Sequence, residues 1–333
     1  MRHSRPNKQK FGTSGLKYKI LYHLFAATEL FLITTVVTDL NAQGQEEILF
    51  AAKWGSIGIG DGEFRHPHGL AIDSSGNVYV TVRDNTEVQK FTSDGQFITK
   101  WGSNGTGDGE FRDPHAIDID SLGNVYVSDA MNLNIQKFTS DGQFITKWGS
   151  NGTGDGEFRH PHGLAIDSSD NVYVADWLND NIQKFTSDGE FIIEWGSSGS
   201  NDGEFSLMEC IDFDSSDNLY VVEDGNSRVQ KFTSDGQFIT KWGSNGTGDG
   251  EFNNPYGIAI NSDIIYVSDK LNHRVQKFTS DGEFIIEWGS SGSDDGEFRN
   301  PEGIELDDSG GLYVTDTDNN RVQRFIVEGV SGQ

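Results

Sequence analysis

The chain has 333 residues, with 25 Lys and Arg against 52 Asp and Glu, for a formal charge of −27. That imbalance argues against a nucleic-acid partner, because there is no surplus of cations to displace counterions from phosphates, and it disfavours docking on an anionic lipid surface. A single cysteine, Cys210, excludes an intrachain disulfide framework.

The charge is unevenly placed. Residues 1–45 carry a net +4 and the remainder −31. A basic stretch over 1–19 is followed by a mostly apolar run from Ile20 to Val37, strongest at Leu30-Phe31-Leu32-Ile33, and by a small residue at Ala42. This order reads as a signal peptide over 1–42. The alternative is an N-terminal membrane anchor, since the apolar run is near the minimum length for spanning a bilayer. Glu29 within it opposes insertion by about 2.5–3.5 kcal/mol. Either way the acidic body is expected to be secreted or on the cell surface, touching membrane only through this segment. The sequons at Asn104, Asn151 and Asn245 are consistent with an external protein.

The body, 43–333, is a repeat. Tryptophans fall at 54, 101, 148, 195, 242 and 288, a spacing of 47 that drops once to 46. Within the unit that begins at Leu70, four short runs rich in β-branched and aromatic residues predict strands over Leu70–Asp73, Val78–Val82, Val88–Phe91 and Phe97–Trp101. Turns of Ser-Ser-Gly-Asn and Thr-Ser-Asp-Gly join the first pair and the last pair. No helical period intervenes. Six such units predict an all-β fold, a six-bladed β-propeller of four-stranded antiparallel blades. Too few residues follow Phe325 for a final strand, and Glu47–Trp54 aligns with Asp94–Trp101. The N-terminal strand is therefore expected to join the last blade and close the ring, which removes open edges. Of 38 aromatic residues, 30 occupy five repeated positions and read as packing between blades. Trp177 and Tyr256 are the two loop aromatics that break the pattern.

The turns on one face are nearly constant, whereas the loops between the second and third strands (the b–c loops) all differ. Variation on a rigid scaffold marks the face where a ligand is expected. In those loops Asp129, Asp176, Asp269 and Asp316 precede asparagines by three residues, a pattern expected to cap loop backbone. The connection into each first strand ends in Phe-x-x-Pro-x-Gly. The residue after the proline should ring the mouth of the central channel. Round the ring these residues are His68, His115, His162, Glu209, Tyr256 and Glu302. Three imidazoles and two carboxylates on one axis could bind a divalent metal, zinc or calcium, through His68, His115, His162, Glu209 and Glu302. The alternative is a set of copied residues with no metal. His66 and His160, before the proline, are expected to point elsewhere. The recurrent Gly-Asp-Gly-Glu run lacks the spacing of a 12-residue calcium loop and reads as an acidic surface turn.

Phe64-Arg65-His66-Pro67-His68-Gly69-Leu70-Ala71-Ile72-Asp73, Asn77-Val78-Tyr79-Val80 and Asn272-His273-Arg274-Val275-Gln276-Lys277-Phe278, with Trp288-Gly289, resemble NHL repeats over most of 46–327. The resemblance implies a propeller and leaves function open. It admits protein-binding modules, extracellular sensors and, more distantly, the peptidyl-hydroxyglycine amidating lyase. That lyase holds zinc through three histidines on alternate blades, with an arginine and a tyrosine near the metal. Here the alternate-blade sets are His115/Glu209/Glu302 and His68/His162/Tyr256, and neither supplies three histidines. Arg83 stands where the lyase arginine would, a candidate for catalysis. The expectation is a binding module for a protein, peptide or small molecule, contacting it through His68, His115, His162, Glu209, Tyr256, Glu302, Trp177 and Arg83. The alternative is a metal-dependent lyase or hydrolase, and a third reading is a structural surface protein.

Overall fold

The computed structural model describes residues 47–261 and 263–328; the predicted leader over 1–42 lies outside them. Each repeat folds as one four-stranded antiparallel sheet, and there are six. Blade 1 runs Pro67–Ile72, Val78–Val82, Glu87–Phe91 and Phe97–Trp101, strands a to d from the channel outward. Blades 2 to 5 begin at Pro114, Pro161, Met208 and Pro255. Blade 6 takes strands a to c from Pro301–Leu306, Gly311–Asp316 and Arg321–Glu328. Its outermost strand is Glu47–Trp54, paired antiparallel with Arg321–Glu328. The a strands adjoin in sequence, and that of blade 6 adjoins that of blade 1. The ring is thus closed by the N-terminal strand, as the alignment predicted.

The apolar core is divided into inter-blade clusters. Tyr79 of blade 1, for example, packs with Phe111, Val125 and Phe138 of blade 2. Its hydroxyl donates to Asp73 at 3.0 Å, so burying the ring strands no polar group. Five of the six d-strand tryptophans lie over the c–d turn glycine of the next blade; Trp288 does not, because blade 6 takes its d strand from the N-terminal end and has no such turn. A Cβ on Gly142 would come within 2.5 Å of Trp101, and φ there is +82°, so only glycine serves. The repeated aromatics are packing, as expected.

Strand a starts three residues earlier than the sequence pattern suggested. The register of Pro67–Ile72 against Val78–Val82 shifts between Pro67 and Leu70. The bulge turns the residue after the proline into the channel. The following glycine lies against the neighbouring blade: a Cβ on Gly69 would sit 2.6 Å from the His115 carbonyl oxygen. A hydroxyl locks this contact, with Thr81 accepting from Gly69 N–H at 2.8 Å and donating to that carbonyl at 2.7 Å. The b–c aspartates cap backbone as anticipated. Asp129 accepts from the amides of Arg112 and Asp113, both at 3.0 Å, and holds Asn132, which reaches on to the Gly105 carbonyl. That last bond ties the b–c loop to the incoming connection on one face.

Candidate functional site

The six mouth residues converge in one ring, all 8 % exposed or less. They arrive there because each blade repeats the same bulge, and they are histidine in blades 1 to 3 and glutamate, tyrosine and glutamate in blades 4 to 6. The His68 Nε2 atom lies 2.8 Å from a Glu302 oxygen, and the other Glu302 oxygen lies 2.7 Å from the Lys270 ammonium. His162 Nδ1 is 3.0 Å from Glu209, whose second oxygen accepts from the Trp177 indole at 3.2 Å. The Tyr256 hydroxyl lies between two imidazoles, 2.9 Å from His115 Nε2 and 3.2 Å from His68 Nδ1. His115 stacks on His162 at 3.7 Å between ring centroids.

The electrostatics follow from burial and neighbours. Burial, then the rings of His162 and His68, holds His115 well below the usual histidine range, so it is neutral at pH 7 and offers a lone pair. Burial, then Glu302 and Glu209, raises Tyr256, which keeps its proton and donates. Burial alone would raise Glu302, but His68 and Lys270 overcome it and hold it at about 2.

Two expected positions need revision. Tyr256 is not in a loop; it lies in strand a of blade 5, Pro255–Asn261. His160 does not point elsewhere: its ring packs 4.5 Å from His162 and 5.6 Å from Trp177. His66 does turn away, pairing with Asp84 at 2.7 Å. The difference is at the end of strand b. In blade 3 Asp176 accepts the His160 amide at 3.0 Å, whereas blade 1 has Val82 there and His66 adopts a left-handed φ of 53°. Arg83 reaches the mouth but clamps Asp113 through two nitrogens at 2.6 and 3.1 Å.

The five proposed metal ligands do not act as one set. Among the described residues, His115, His162 and Glu209 bring ligand atoms within 4.8 Å of one another. His68 and Glu302 instead pair with each other. The three that gather come from consecutive blades, unlike the alternate-blade histidines of the amidating lyase. Two imidazoles and a carboxylate are a donor set that suits zinc, and the neutral His115 fits the requirement for an unprotonated ligand.

The channel holds a cavity of about 50 Å³ lined by His68, His115, Glu209 and Tyr256 of the ring and by a trio the sequence reading missed, Asp118, Asp212 and Glu305. Each accepts the amide of the following residue, Ile119, Phe213 or Leu306, at 2.7–2.9 Å. Asp118 also accepts from Ile166 of blade 3 at 2.8 Å. Burial lifts Asp118 to about 7. Burial, then their neighbouring acids, raises Asp212 and Glu305 well above the carboxylate range. The signal was present in the repeat. The same position reads Ala71, Asp118, Ala165, Asp212, Ala259 and Glu305, an alternation in otherwise similar blades.

Comparison with known proteins agrees with this architecture. Residues 64–91, 252–278 and 298–325 match the NHL repeat family, and 122–194 match a 6-bladed beta-propeller family. The chain carries NHL repeats in a six-bladed β-propeller. No curated protein matches the sequence significantly. Among solved structures, a streptogramin B lyase is similar at 16 % identity, with 86 % of this chain and 100 % of that one covered and a TM-score of 0.59. A virginiamycin B lyase from Staphylococcus aureus, crystallised with quinupristin, is 17 % identical over 86 % and 89 %, with a TM-score of 0.57. An auxiliary nutrient binding protein from Bacteroides thetaiotaomicron is 15 % identical over 85 % and 77 %, with a TM-score of 0.65. At these identities the likeness is one of fold.

Proposed function

We propose that the protein is an exported binding module that takes a peptide, protein segment or small molecule on its b–c loop face, over the channel mouth. The observation that carries this is the ring itself. Six side chains able to bind or donate, His68, His115, His162, Glu209, Tyr256 and Glu302, converge there, and among the described residues Trp177 and Tyr256 are the aromatics outside the repeated pattern that reach it. The nutrient-binding propellers of the same fold support a binding role. The acidic body supports an external location and gives nucleic acid no purchase. Trp177 and the exposed part of Arg83 are the first groups a ligand would meet. Isothermal titration with peptide and small-molecule libraries tests the reading. Hits should lose at least tenfold in affinity on Trp177→Ala and Tyr256→Phe while each variant still unfolds in a single cooperative transition well above the assay temperature. Affinities unchanged by both substitutions would place binding elsewhere.

A metal-dependent lyase or hydrolase is the second reading, favoured by the His115, His162 and Glu209 group. These residues would hold the ion, and zinc bound there would polarise a carbonyl or acidify a water. Tyr256 would keep its proton beside His115, and Trp177 would orient Glu209. Metal analysis of the purified protein, with added zinc, tests this. One ion per chain, lost on His115→Ala and His162→Ala, supports it; a protein that takes up no zinc excludes it.

A further inference from the structure

We propose that Asn104, Asn151 and Asn245 carry oligosaccharides, and that each glycan covers the exposed apolar residue at the tip of the neighbouring b–c loop, Met131, Leu178 or Leu271. The chain's three Asn-Gly-Thr sequons occupy one structural position, the first turn of the connections into blades 2, 3 and 5. Each asparagine is fixed there by parallel pairing with a buried phenylalanine, Phe111, Phe158 or Phe252. The asparagine and the threonine of every sequon are exposed. Among the described residues no hydrogen bond engages the side chains of Asn104 and Asn151, and Asn245 makes one long contact, 3.4 Å to the Ser227 hydroxyl.

One hydrogen bond joins this turn to the b–c loop in every blade. The loop asparagine donates to the carbonyl of the glycine that follows the sequon position: Asn132 to Gly105 at 2.8 Å, Asn179 to Gly152 at 3.0 Å and Asn272 to Gly246 at 2.9 Å. The residue before that loop asparagine is Met131, Leu178 or Leu271, respectively 58, 48 and 48 % exposed. Blades 1, 4 and 6 make the same bond, Asn85 to Gly58, Asn226 to Gly199 and Asn319 to Gly292. They have Ile57, Ser198 and Ser291 at the sequon position and Asp84, Gly225 and Asp318 at the loop tip. An exposed apolar side chain taken singly needs no explanation. Here the large apolar tip residue is present in the three blades with a sequon and absent from the three without one, which ties the two features together. A bulky sugar on the asparagine would take the apolar side chain out of water. Attachment rests on the export proposed above. In it the asparagine side-chain nitrogen bonds to the anomeric carbon of an oligosaccharide held on a lipid diphosphate. The bond from that carbon to the diphosphate breaks, the diphosphate leaves with the electron pair, and the amide gives up one proton. Blades 1, 4 and 6 carry no sequon, so the approach to the mouth over them stays open.

The full chain, secreted from cells whose oligosaccharyltransferase reads Asn-x-Thr, tests this by peptide mass spectrometry and by peroxide oxidation of methionine. Glycan is expected at all three asparagines. Met131 should oxidise at least about threefold faster in Asn104→Gln than in wild type, because oxidation follows exposure. Asn151→Gln should leave the Met131 rate unchanged, and the fully buried Met208 is the reference for an intact fold. A chain retained inside the cell overturns the export reading; the same chain behind an established secretion leader then still decides occupancy and the Met131 rate. Unmodified asparagines in the secreted protein, or a Met131 rate indifferent to the Asn104 glycan, would overturn the proposal.

Discussion

Blades 1 to 3 and blades 4 to 6 share a backbone and differ in chemistry at two levels. At the mouth the first half contributes His68, His115 and His162, and the second contributes Glu209, Tyr256 and Glu302. At the start of strand c the first half has Glu87, Asn134 and Asn181, and the second has Arg228, Arg274 and Arg321. Each of those arginines is buried and laces its connecting loop. Arg228 donates to the carbonyls of Ser200, Asn201 and Glu204 at 2.7–3.1 Å and pairs with Glu223 at 2.6 Å. Among cationic side chains, the first half offers its loops Lys100 and Lys147, in blades 1 and 2. The two halves meet at seams where imidazole faces carboxylate: His162–Glu209 between blades 3 and 4, and His68–Glu302 between blades 6 and 1. Packing residues stayed common to all repeats, while residues facing the mouth and loops were free to specialise. The second half has the arginine-laced loops and the carboxylates of the mouth, the first has the imidazoles, and both halves are acidic overall.

The largest effect should come from breaking the seam between blades 6 and 1. A chain beginning at Gly55 loses the outer strand of blade 6, exposes the edge at Arg321–Glu328 and should lose its single cooperative melt. An unchanged calorimetric transition would show that this strand does not hold the halves together. Next in size, Arg228→Asn gives blade 4 the residue of blade 2 and leaves the buried Glu223 with neutral donors and no cation. It should cost about 3–5 kcal/mol in urea unfolding. A loss below about 1 kcal/mol would mean that the arginines do not stiffen the second half.

A smaller effect concerns the channel acids, of which Asp118 belongs to the first half and Asp212 and Glu305 to the second. Asp118 titrates near 7 when folded against an ordinary value of 3.8. The folded state thus holds a proton that the unfolded chain releases, and stability should fall as pH rises from about 4 to about 7. Asp118→Asn should flatten that part of the profile in denaturant midpoints; parallel profiles would count against it. The smallest effect is expected at the seam of blades 3 and 4. Trp177→Phe keeps the stack on His162 and removes one hydrogen bond to Glu209, for a cost of about 1 kcal/mol. A cost indistinguishable from zero in the same assay would leave the indole N–H without a structural part and reserve it for ligand.

Some of the site was legible before any coordinates. The Phe-x-x-Pro-x-Gly register named the six mouth residues, and the aromatic count singled out Trp177 and Tyr256. His160 was misjudged because its direction depends on Asp176, sixteen residues away, capturing its amide. Asp118, Asp212 and Glu305 were overlooked because they lie inside strand runs that otherwise read as packing. Their alternation with alanine becomes meaningful only once six strands stand around one axis.

By itself the sequence determined the repeat, the four strands of each blade, the number of blades and the strand that closes the ring, since period-47 aromatics and turn residues act within one unit or on its neighbour. Tertiary structure decided the partnerships: which imidazole meets which carboxylate, and that His115, His162 and Glu209 gather while His68 leaves for Glu302. Those contacts join residues from different strands, loops and blades, and their distances are set by a bulge and a closed ring. The charges that pattern reading could only sum are there arranged into pairs and a trio of half-buried channel acids.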